Sequence, residues 1–182
     1  MGSLKAIASA AVLWAAAATA LAAAPRDPET HFFDQTLGDL TEELAVAREE
    51  GKRGIVIFFE QEECPFCHRM KQTVLNQPEV QDFYKERFLI FPVDIESTVE
   101  ITDPSGKVTT QKDFFADVTR NRGATPVFAF FDLDGELVVR YTGATTGPEE
   151  FLWLGEYAAE GIYTEMPFSR YKREKRRDQR GG

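Results

Sequence analysis

Residues 54–67, GIVIFFEQEECPFC, join a short apolar run directly to two cysteines that are separated by two residues. Gly54–Phe59 is mostly β-branched and aromatic, which is typical of a strand buried on both faces. The pattern after Pro65 is helical, and proline suits the first turn of a helix, where its missing N–H is not needed. A cysteine at a helix N-terminus faces unpaired N–H groups and the positive end of the helix dipole, and both favour the thiolate. The stretch therefore predicts a buried strand that ends at a reactive Cys64, with Cys67 one turn deeper.

The two cysteines are the only ones in the chain. A disulfide between Cys64 and Cys67 closes a very short loop, so it removes little entropy from the unfolded chain and stabilises the fold little. Reactivity explains the pair better than stapling does. We expect Cys64 to attack as the nucleophile and Cys67 to resolve the mixed disulfide that results.

The same cysteines also begin a Cys-x-x-Cys-His sequence, which is the attachment motif of c-type haem. A small cytochrome would be largely helical and would need a second axial ligand, for which Met70 and Met166 are the candidates. Zinc would have to use His68 and the distant His31 beside the cysteines, and these do not make a convincing four-ligand set. A cytochrome is therefore kept as an alternative function, and no metal site is predicted.

Alternating helix and strand patterns surround residues 54–67. Apolar residues at helical spacing over 37–47 have a candidate cap at Asp39 and a terminating glycine at Gly51. The same periodicities predict helices over 78–87, 114–119 and 148–160, strands over 88–95, 126–131 and 136–141, and a small hairpin within 96–112. One βαβ unit followed by an antiparallel pair predicts an α/β fold with a mixed central β-sheet flanked by helices.

Residues 123–128, GATPVF, resemble the loop of the thioredoxin superfamily that carries a cis-proline before a strand. With the cysteine pair, this resemblance spans about residues 37–160 and implies a thioredoxin fold, here with a hairpin insertion before the cis-proline loop. It implies that the Thr125–Pro126 bond is cis and that the redox disulfide is the only cofactor. The catalytic residues that it implies are Cys64 and Cys67, and the substrate-binding residues are Pro65, Phe66, Thr125 and Pro126.

One departure from the superfamily pattern concerns proton transfer. Cytosolic thioredoxins carry a buried aspartate six residues before the first cysteine, where it assists proton transfer, and here that position is Phe58. Glu60, at the end of the predicted strand, is a candidate substitute for proton transfer. A solvated loop carboxylate is the simpler interpretation of Glu60.

The direction of electron flow is not fixed by the Pro-Phe dipeptide between the cysteines. Acidic residues at 60, 62 and 63 disfavour the Cys64 thiolate and so favour a reductant. His68 and Arg69 act in the opposite sense. We expect a reductase of protein disulfides, with a thiol oxidase or isomerase of the same fold as the alternative.

The chain begins with the features of a secretory signal peptide over 1–24, with a positive residue before an apolar, alanine-rich run and small residues at its end. We expect a linker over 25–36, a thioredoxin-like domain over 37–161 and a basic C-terminal tail over 162–182. The signal peptide, the hairpin and the Cys-Pro-aromatic-Cys motif resemble the periplasmic thioredoxins of sulfur-oxidation systems, the SoxW type. The expected location is therefore the periplasm.

The formal charge of −9 argues against a nucleic-acid partner. The expected partners are exported proteins that contain thiols or disulfides, together with a membrane or soluble electron donor. The basic run near the C-terminus is usually a solvated or disordered end in proteins of this kind, and docking to an acidic partner is the alternative interpretation.

Overall fold

The computed structural model describes residues 23–181, so the predicted signal peptide lies outside the described residues except for its last two positions. The helices are α1 (Pro28–His31), α2 (Leu40–Glu49), α3 (Pro65–Thr73), α4 (Pro78–Arg87), α5 (Gln111–Thr119), α6 (Pro148–Ala159) and α7 (Phe168–Gly181). The strands are β1 (Gly54–Glu60), β2 (Phe88–Asp94), β3 (Glu100–Thr102), β4 (Val108–Thr110), β5 (Val127–Asp132) and β6 (Leu137–Thr142). Over residues 23–181, no helix has the length and apolar character that crossing a membrane requires.

Four strands form the central sheet in the order β2-β1-β5-β6. β1 runs parallel to β2 and antiparallel to β5, and β5 pairs antiparallel with β6. Every residue of β1 before Glu60 is buried, as its apolar composition predicted. The predicted α/β fold with a mixed sheet flanked by helices is confirmed.

The two faces of the sheet pack against different helices, because successive side chains of a strand point to opposite faces. Val56 and Phe58 belong to a buried cluster with side chains of α3, α4 and α6. Ile55, Ile57 and Phe59 belong to a second cluster with side chains of α2 and α5. β1 therefore leads into α3 from the middle of a sheet that is covered on both sides, and this fixes the position of the cysteines.

The predicted hairpin insertion lies between β2 and α5, where β3 pairs antiparallel with β4. Its turn is organised by Asp103, whose Oδ1 accepts hydrogen bonds from the backbone N–H groups of Ser105 and Lys107 at 2.9 Å and 3.0 Å. The insertion precedes the loop of Pro126 in the chain, as predicted.

The structure differs from the predicted linker over 25–36. Phe32 and Phe33 are buried in the core, with ring centroids 5.2 Å apart. The backbone N–H of Asp34 donates to the carbonyl of Ile90 in β2 at 2.7 Å. Burying a phenylalanine contributes about 1.5–3 kcal/mol, and these two buried side chains attach the segment to the domain together with the hydrogen bond of Asp34. Residues 25–36 are therefore part of the domain.

The structure also differs from the predicted basic tail over 162–182. After a 3-10 turn, Ile162–Thr164, the chain forms α7, which packs on α6. Tyr171 is buried, and its ring lies 5.7 Å from that of Tyr157. Basic side chains of α7 reach a carboxylate on α6, described below, so that apolar packing and ion pairing together order a segment whose composition indicated a solvated end.

Candidate active site

Cys64 and Cys67 lie where β1 gives way to α3. Cys64 is the N-cap residue of α3 and has an extended backbone conformation. Its Sγ accepts a hydrogen bond from the backbone N–H of Cys67 at 3.0 Å. The two residues form a disulfide, with Cα atoms 5.2 Å apart. The predicted junction of strand, cysteine and helix is therefore present, and it directs an unpaired N–H of the first helical turn at the first sulfur.

An apolar layer lies beneath the disulfide. Both cysteines are buried, with 3% of Cys64 and 1% of Cys67 exposed, and they share a cluster with Phe58. The ring of Phe58 lies 4.9 Å from that of Phe128 and 5.5 Å from that of Phe33. The position at which cytosolic thioredoxins have a buried aspartate is thus occupied by Phe58, an aromatic side chain in a hydrophobic environment.

Glu60 belongs to an ion-pair cluster with Lys71 of α3 and Glu29 of α1. The Nζ of Lys71 lies 2.7 Å from Oε1 of Glu60 and 2.8 Å from Oε1 of Glu29. Burial raises the pKa of the Glu60 carboxyl, and the hydrogen bond from Lys71 offsets only part of this effect. Burial acts to lower the pKa of Lys71, but the hydrogen bonds to Glu29 and Glu60 outweigh it, so that this pKa is raised. Glu60 is therefore not the solvated loop carboxylate of the simpler interpretation.

Phe66 and Arg69 form an exposed rim beside the disulfide. Phe66 is 56% exposed, and the Arg69 guanidinium carbon lies 5.4 Å from the centroid of its ring. Arg69 also donates a hydrogen bond to the carbonyl of Thr145, at 3.4 Å, in the loop after β6. Cation–π contacts of this kind contribute about 0.5–1 kcal/mol at exposed sites. Arg69 therefore links an apolar contact surface on α3 to the neighbouring loop.

The Thr125–Pro126 peptide bond is cis, as the resemblance implied. Phe59 pairs with Val127 in the antiparallel register of β1 and β5, so Pro126 lies at the end of the sheet where β1 enters α3. Pro126 is buried and Thr125 is partly exposed. The carbonyl of Pro126 accepts a hydrogen bond from the backbone N–H of Gly143 at 2.8 Å. The topology thus brings the predicted substrate-binding residues of two separate loops to one end of the molecule.

The sequence did not indicate the roles of Lys71, Glu29 and Thr145 at this end of the sheet. Lys71 lies four residues after Cys67, which places it on the same side of α3, and this spacing was the signal available. Glu29 and Thr145 come from segments distant in sequence. No local pattern connects them to the cysteines.

The observed fold and the contacts of Met70 and His68 do not favour the haem and zinc alternatives. The haem alternative required a largely helical protein, whereas the cysteines follow the central strand of a sheet. Met70 is buried, and its Sδ is 3.6 Å from the hydroxyl oxygen of Thr145. His68 Nε2 lies 2.8 Å from the carbonyl of Glu62. Over residues 23–181, no group of three or more His, Cys, Asp or Glu side chains is arranged so that it could hold a metal ion.

Comparison with known proteins identifies relatives of this fold. A family model described as a thioredoxin-like domain matches residues 40–159. A thioredoxin-fold protein from Helicobacter pylori is 20% identical with a TM-score of 0.58, and the match covers 70% of this chain and 86% of that one. DsbH oxidoreductase is 16% identical with a TM-score of 0.50, over 71% and 88% of the two chains. A thioredoxin from Thermus thermophilus is 28% identical with a TM-score of 0.48, over 63% and 79%. No curated protein matches the chain.

Proposed function

This chain belongs to the thioredoxin-like domain family, and from that premise we propose that it is an exported reductase of protein disulfides. The class of activity, thiol–disulfide exchange, follows from the family together with the Cys64–Cys67 pair at the start of α3. One observation supports thiol–disulfide exchange above all others, namely the hydrogen bond from the N–H of Cys67 to Sγ of Cys64, whereas the direction of exchange is proposed from the charges described below. When the disulfide is reduced, the same donor is in place to stabilise a thiolate on Cys64.

In the proposed reaction the reduced protein transfers two electrons to its substrate. The Cys64 thiolate attacks one sulfur of the substrate disulfide, which forms a mixed disulfide and releases the first substrate thiolate. Cys67 then loses its proton and attacks Sγ of Cys64, which breaks the mixed disulfide and releases the second substrate thiolate. The Cys64–Cys67 disulfide that remains must be reduced by a membrane or soluble dithiol donor. No cofactor besides this redox pair enters the proposed cycle.

Glu60 is the proposed acceptor of the Cys67 proton, acting directly or through water. A carboxyl whose pKa is raised by burial suits a general base better than a solvated one, because its proton affinity lies closer to that of its donor. Its contact with Lys71 holds it beside α3. Pro65, Phe66, Thr125 and Pro126 are the proposed contact residues for an extended segment of the substrate.

The charges near Cys64 support reduction rather than oxidation. Glu62 and Glu63 are exposed and make no ion pair within residues 23–181, so their negative charges disfavour the Cys64 thiolate relative to the disulfide. Arg69 acts in the opposite sense, but its guanidinium is directed to Phe66 and to a backbone carbonyl. A pair whose disulfide is favoured is the stronger reductant.

Export to the periplasm is proposed from the apolar run within residues 1–24. A periplasmic protein meets disulfides in other exported proteins, which are the proposed substrates. Membership of the SoxW type, and with it a role in sulfur oxidation, is the finer form of the proposal. Cell fractionation, with intact mass to locate the mature N-terminus near Ala23, tests the export step.

The reduction potential of the Cys64–Cys67 pair tests the direction. The mature protein is equilibrated in thiol buffers, the free thiols are trapped with an alkylating agent, and the two states are read by intact mass. A potential of about −230 mV or below supports a reductase, whereas about −120 mV would establish an oxidase. Cysteines that resist alkylation in every buffer and carry a haem-sized mass would refute thiol exchange and restore the cytochrome alternative.

A further inference from the structure

Helix α7 carries its basic residues on two opposite faces. The residues directed at α6 are Tyr171, Lys172, Lys175, Arg176 and Gln179, as their contacts with α6 show. At 100° per residue, the side turned away from α6 carries Arg170, Arg173 and Arg177, and Arg180 lies at its edge, where it also lines the cavity between α7 and the loop after β6. The spacings of three, four and three residues place these four arginines in one stripe along the helix, which we call the arginine face.

The inward face is anchored by a buried carboxylate. Only 2% of the Glu150 side chain is exposed, and its two oxygens lie 2.7 Å from Nζ of Lys172 and 3.1 Å from a guanidinium nitrogen of Arg176. The hydroxyls of Thr146 and Tyr141 also donate to this carboxylate, at 2.7 Å and 3.1 Å. These contacts hold α7 in one orientation, so the arginine face has a fixed place on the molecule.

The arginine face itself is exposed along its length. Within residues 23–181, only Arg170 of the four makes an ion pair, with Glu174 on the same helix. Three neighbouring arginines that have no ion pair within residues 23–181, Arg173, Arg177 and Arg180, are unexpected on a chain with a formal charge of −9. All four positions are arginine rather than lysine, and the guanidinium group matches carboxylates in bidentate geometry.

A short series of contacts connects α7 to the rim of the disulfide. Arg69, beside Phe66, donates to the carbonyl of Thr145. The next residue, Thr146, bonds Glu150, which in turn pairs with Arg176. A cavity of about 410 Å³ between α7 and this loop is lined by residues that include Thr146, Arg176 and Arg180. The C-terminal end of α7, with Arg180, therefore lies against the loop whose Thr145 contacts Arg69 beside Phe66.

We propose that the arginine face is a docking surface for an acidic segment of the protein substrate, next to the disulfide that is reduced. This inference rests on the proposed function and adds the charge of the substrate to it. A membrane surface suits the helix less well, because the apolar side chains that would enter a bilayer, Phe168 and Tyr171, pack on Tyr157. Opposite charges that steer encounter raise association rates by about 10- to 1,000-fold at low ionic strength.

The test compares charge-matched variants of the full mature chain. Arg173→Glu/Arg177→Glu reverses the centre of the arginine face without removing a hydrogen bond that either side chain makes within residues 23–181. Arg53→Glu/Lys112→Glu is the control, since it changes the net charge equally at exposed positions without ion pairs, with Arg53 at the opposite end of β1 from Cys64. Two disulfide-cyclised peptides serve as substrates, one flanked by glutamates and its twin flanked by lysines. Uncharged hydroxyethyl disulfide reports the chemistry alone.

The expected result is that the unmodified protein exchanges with the acidic peptide at least about tenfold faster than with the basic twin at low salt, and that the preference declines as salt is added. Arg173→Glu/Arg177→Glu should abolish the preference, whereas the control variant and all rates with hydroxyethyl disulfide should stay unchanged. The docking surface would be overturned if the control variant lost the preference for the acidic peptide to the same extent as Arg173→Glu/Arg177→Glu, or if the unmodified protein showed no preference. Charge-dependent binding to phosphatidylglycerol vesicles without a peptide preference would overturn it in favour of a membrane surface.

The same rates separate this inference from the proposed function, because exchange is followed in both directions, with reduced protein and cyclised peptide or with oxidised protein and reduced peptide. A charge preference in the oxidising direction alone would refute the reductase and leave the docking surface intact. Exchange without preference would refute only the docking surface. Absence of exchange with hydroxyethyl disulfide and with both peptides would refute both.

Discussion

The backbone N–H of Cys67 donates to Sγ of Cys64 across 3.0 Å, so the second cysteine of the pair helps to position the first one. Both cysteines are buried, and α3 begins at the residue that follows Cys64. The hydrogen bond involves the backbone of residue 67 and not its thiol. A substitution at Cys67 would therefore remove the thiol that we propose resolves the mixed disulfide, without removing the N–H that donates to Sγ of Cys64.

We predict that Cys67→Ser accumulates a mixed disulfide with a substrate and that Cys64→Ser does not. In Cys67→Ser the Cys64 nucleophile keeps its helix N-terminus and its hydrogen bond, whereas the step that releases the product is lost. Intact mass after mixing with a disulfide-cyclised peptide measures the adduct. An adduct on Cys64→Ser in place of Cys67→Ser would reverse the two assignments.

A second prediction concerns the segment over 25–36. Phe32→Ala is expected to lower the free energy of unfolding by about 3–5 kcal/mol, because Phe32 is fully buried and the substitution leaves a cavity. Leu37→Ala, in the adjoining residues, is the control. Leu37 is fully exposed, and its substitution should change the free energy of unfolding by less than about 0.5 kcal/mol. Denaturant unfolding at neutral pH measures both, and equal values would show that the segment does not fold onto the domain.

The parts of the fold that the sequence predicted are those with strong local signals. The apolar run before Cys64, the cap at Asp39 and the helix that begins at Pro65 depend on residues adjacent in the chain, and each is found in the structure. Residues 25–36 and α7 were misinterpreted for a common reason. Phe32 and Phe33 do not repeat with a helical or strand period, and their burial depends on the distant Phe58 and Tyr84.

The same distinction applies to the candidate site. Cys64, Cys67 and Pro126 were predicted because short motifs mark them, and the structure places all three at one end of the sheet. Glu60 was identified only as a nearby carboxylate, since its environment is determined by Lys71 on α3 and Glu29 on α1. A run of basic residues indicates a solvated end unless a buried acid is known to face it, and Glu150 lies more than twenty residues earlier in the chain.

The third prediction uses the raised pKa of Glu60. Burial raises this pKa above the usual 4.5, so the folded protein binds the proton more tightly than the unfolded chain. The contribution of Glu60 to stability is therefore complete below 4.5 and is lost as the pH rises through the raised pKa. Glu60→Gln, which is neutral throughout, should remove this fall from the pH dependence of the free energy of unfolding.

Urea unfolding at a series of pH values from below 4.5 to neutral measures the slope of the free energy of unfolding against pH. Glu62→Gln is the matched control, because Glu62 is exposed and makes no ion pair within residues 23–181. It should leave the slope as in the unmodified protein. Identical slopes in the protein and in Glu60→Gln would mean that the Glu60 carboxyl is ionised as easily in the fold as in water, and would remove the support for its proposed role as proton acceptor.

The last prediction concerns the anchor of α7. Burial acts to raise the pKa of Glu150, but hydrogen bonds from Lys172 and Thr146 outweigh it and lower the pKa below the usual 4.5. The contribution of Glu150 is thus present above 4.5 and is lost as the pH falls through the lowered value. Glu150→Gln should cost about 1–3 kcal/mol at neutral pH, because it leaves charged donors with a weaker partner. It should also speed amide exchange in α7 and weaken any preference for acidic peptides.

Glu174→Gln is the control for this anchor, since Glu174 pairs with Arg170 at the surface of the same helix. Exposed pairs at this spacing contribute about 0.3–0.5 kcal/mol, so this variant should leave amide exchange in α7 almost unchanged. Each substitution removes one carboxylate that pairs with a basic side chain of α7, but only Glu150 is buried. The comparison therefore separates the effect of burial from the effect of charge. Equal effects of the two variants would mean that the Glu150 carboxylate does not hold α7, and that the arginine face has no fixed place beside the disulfide.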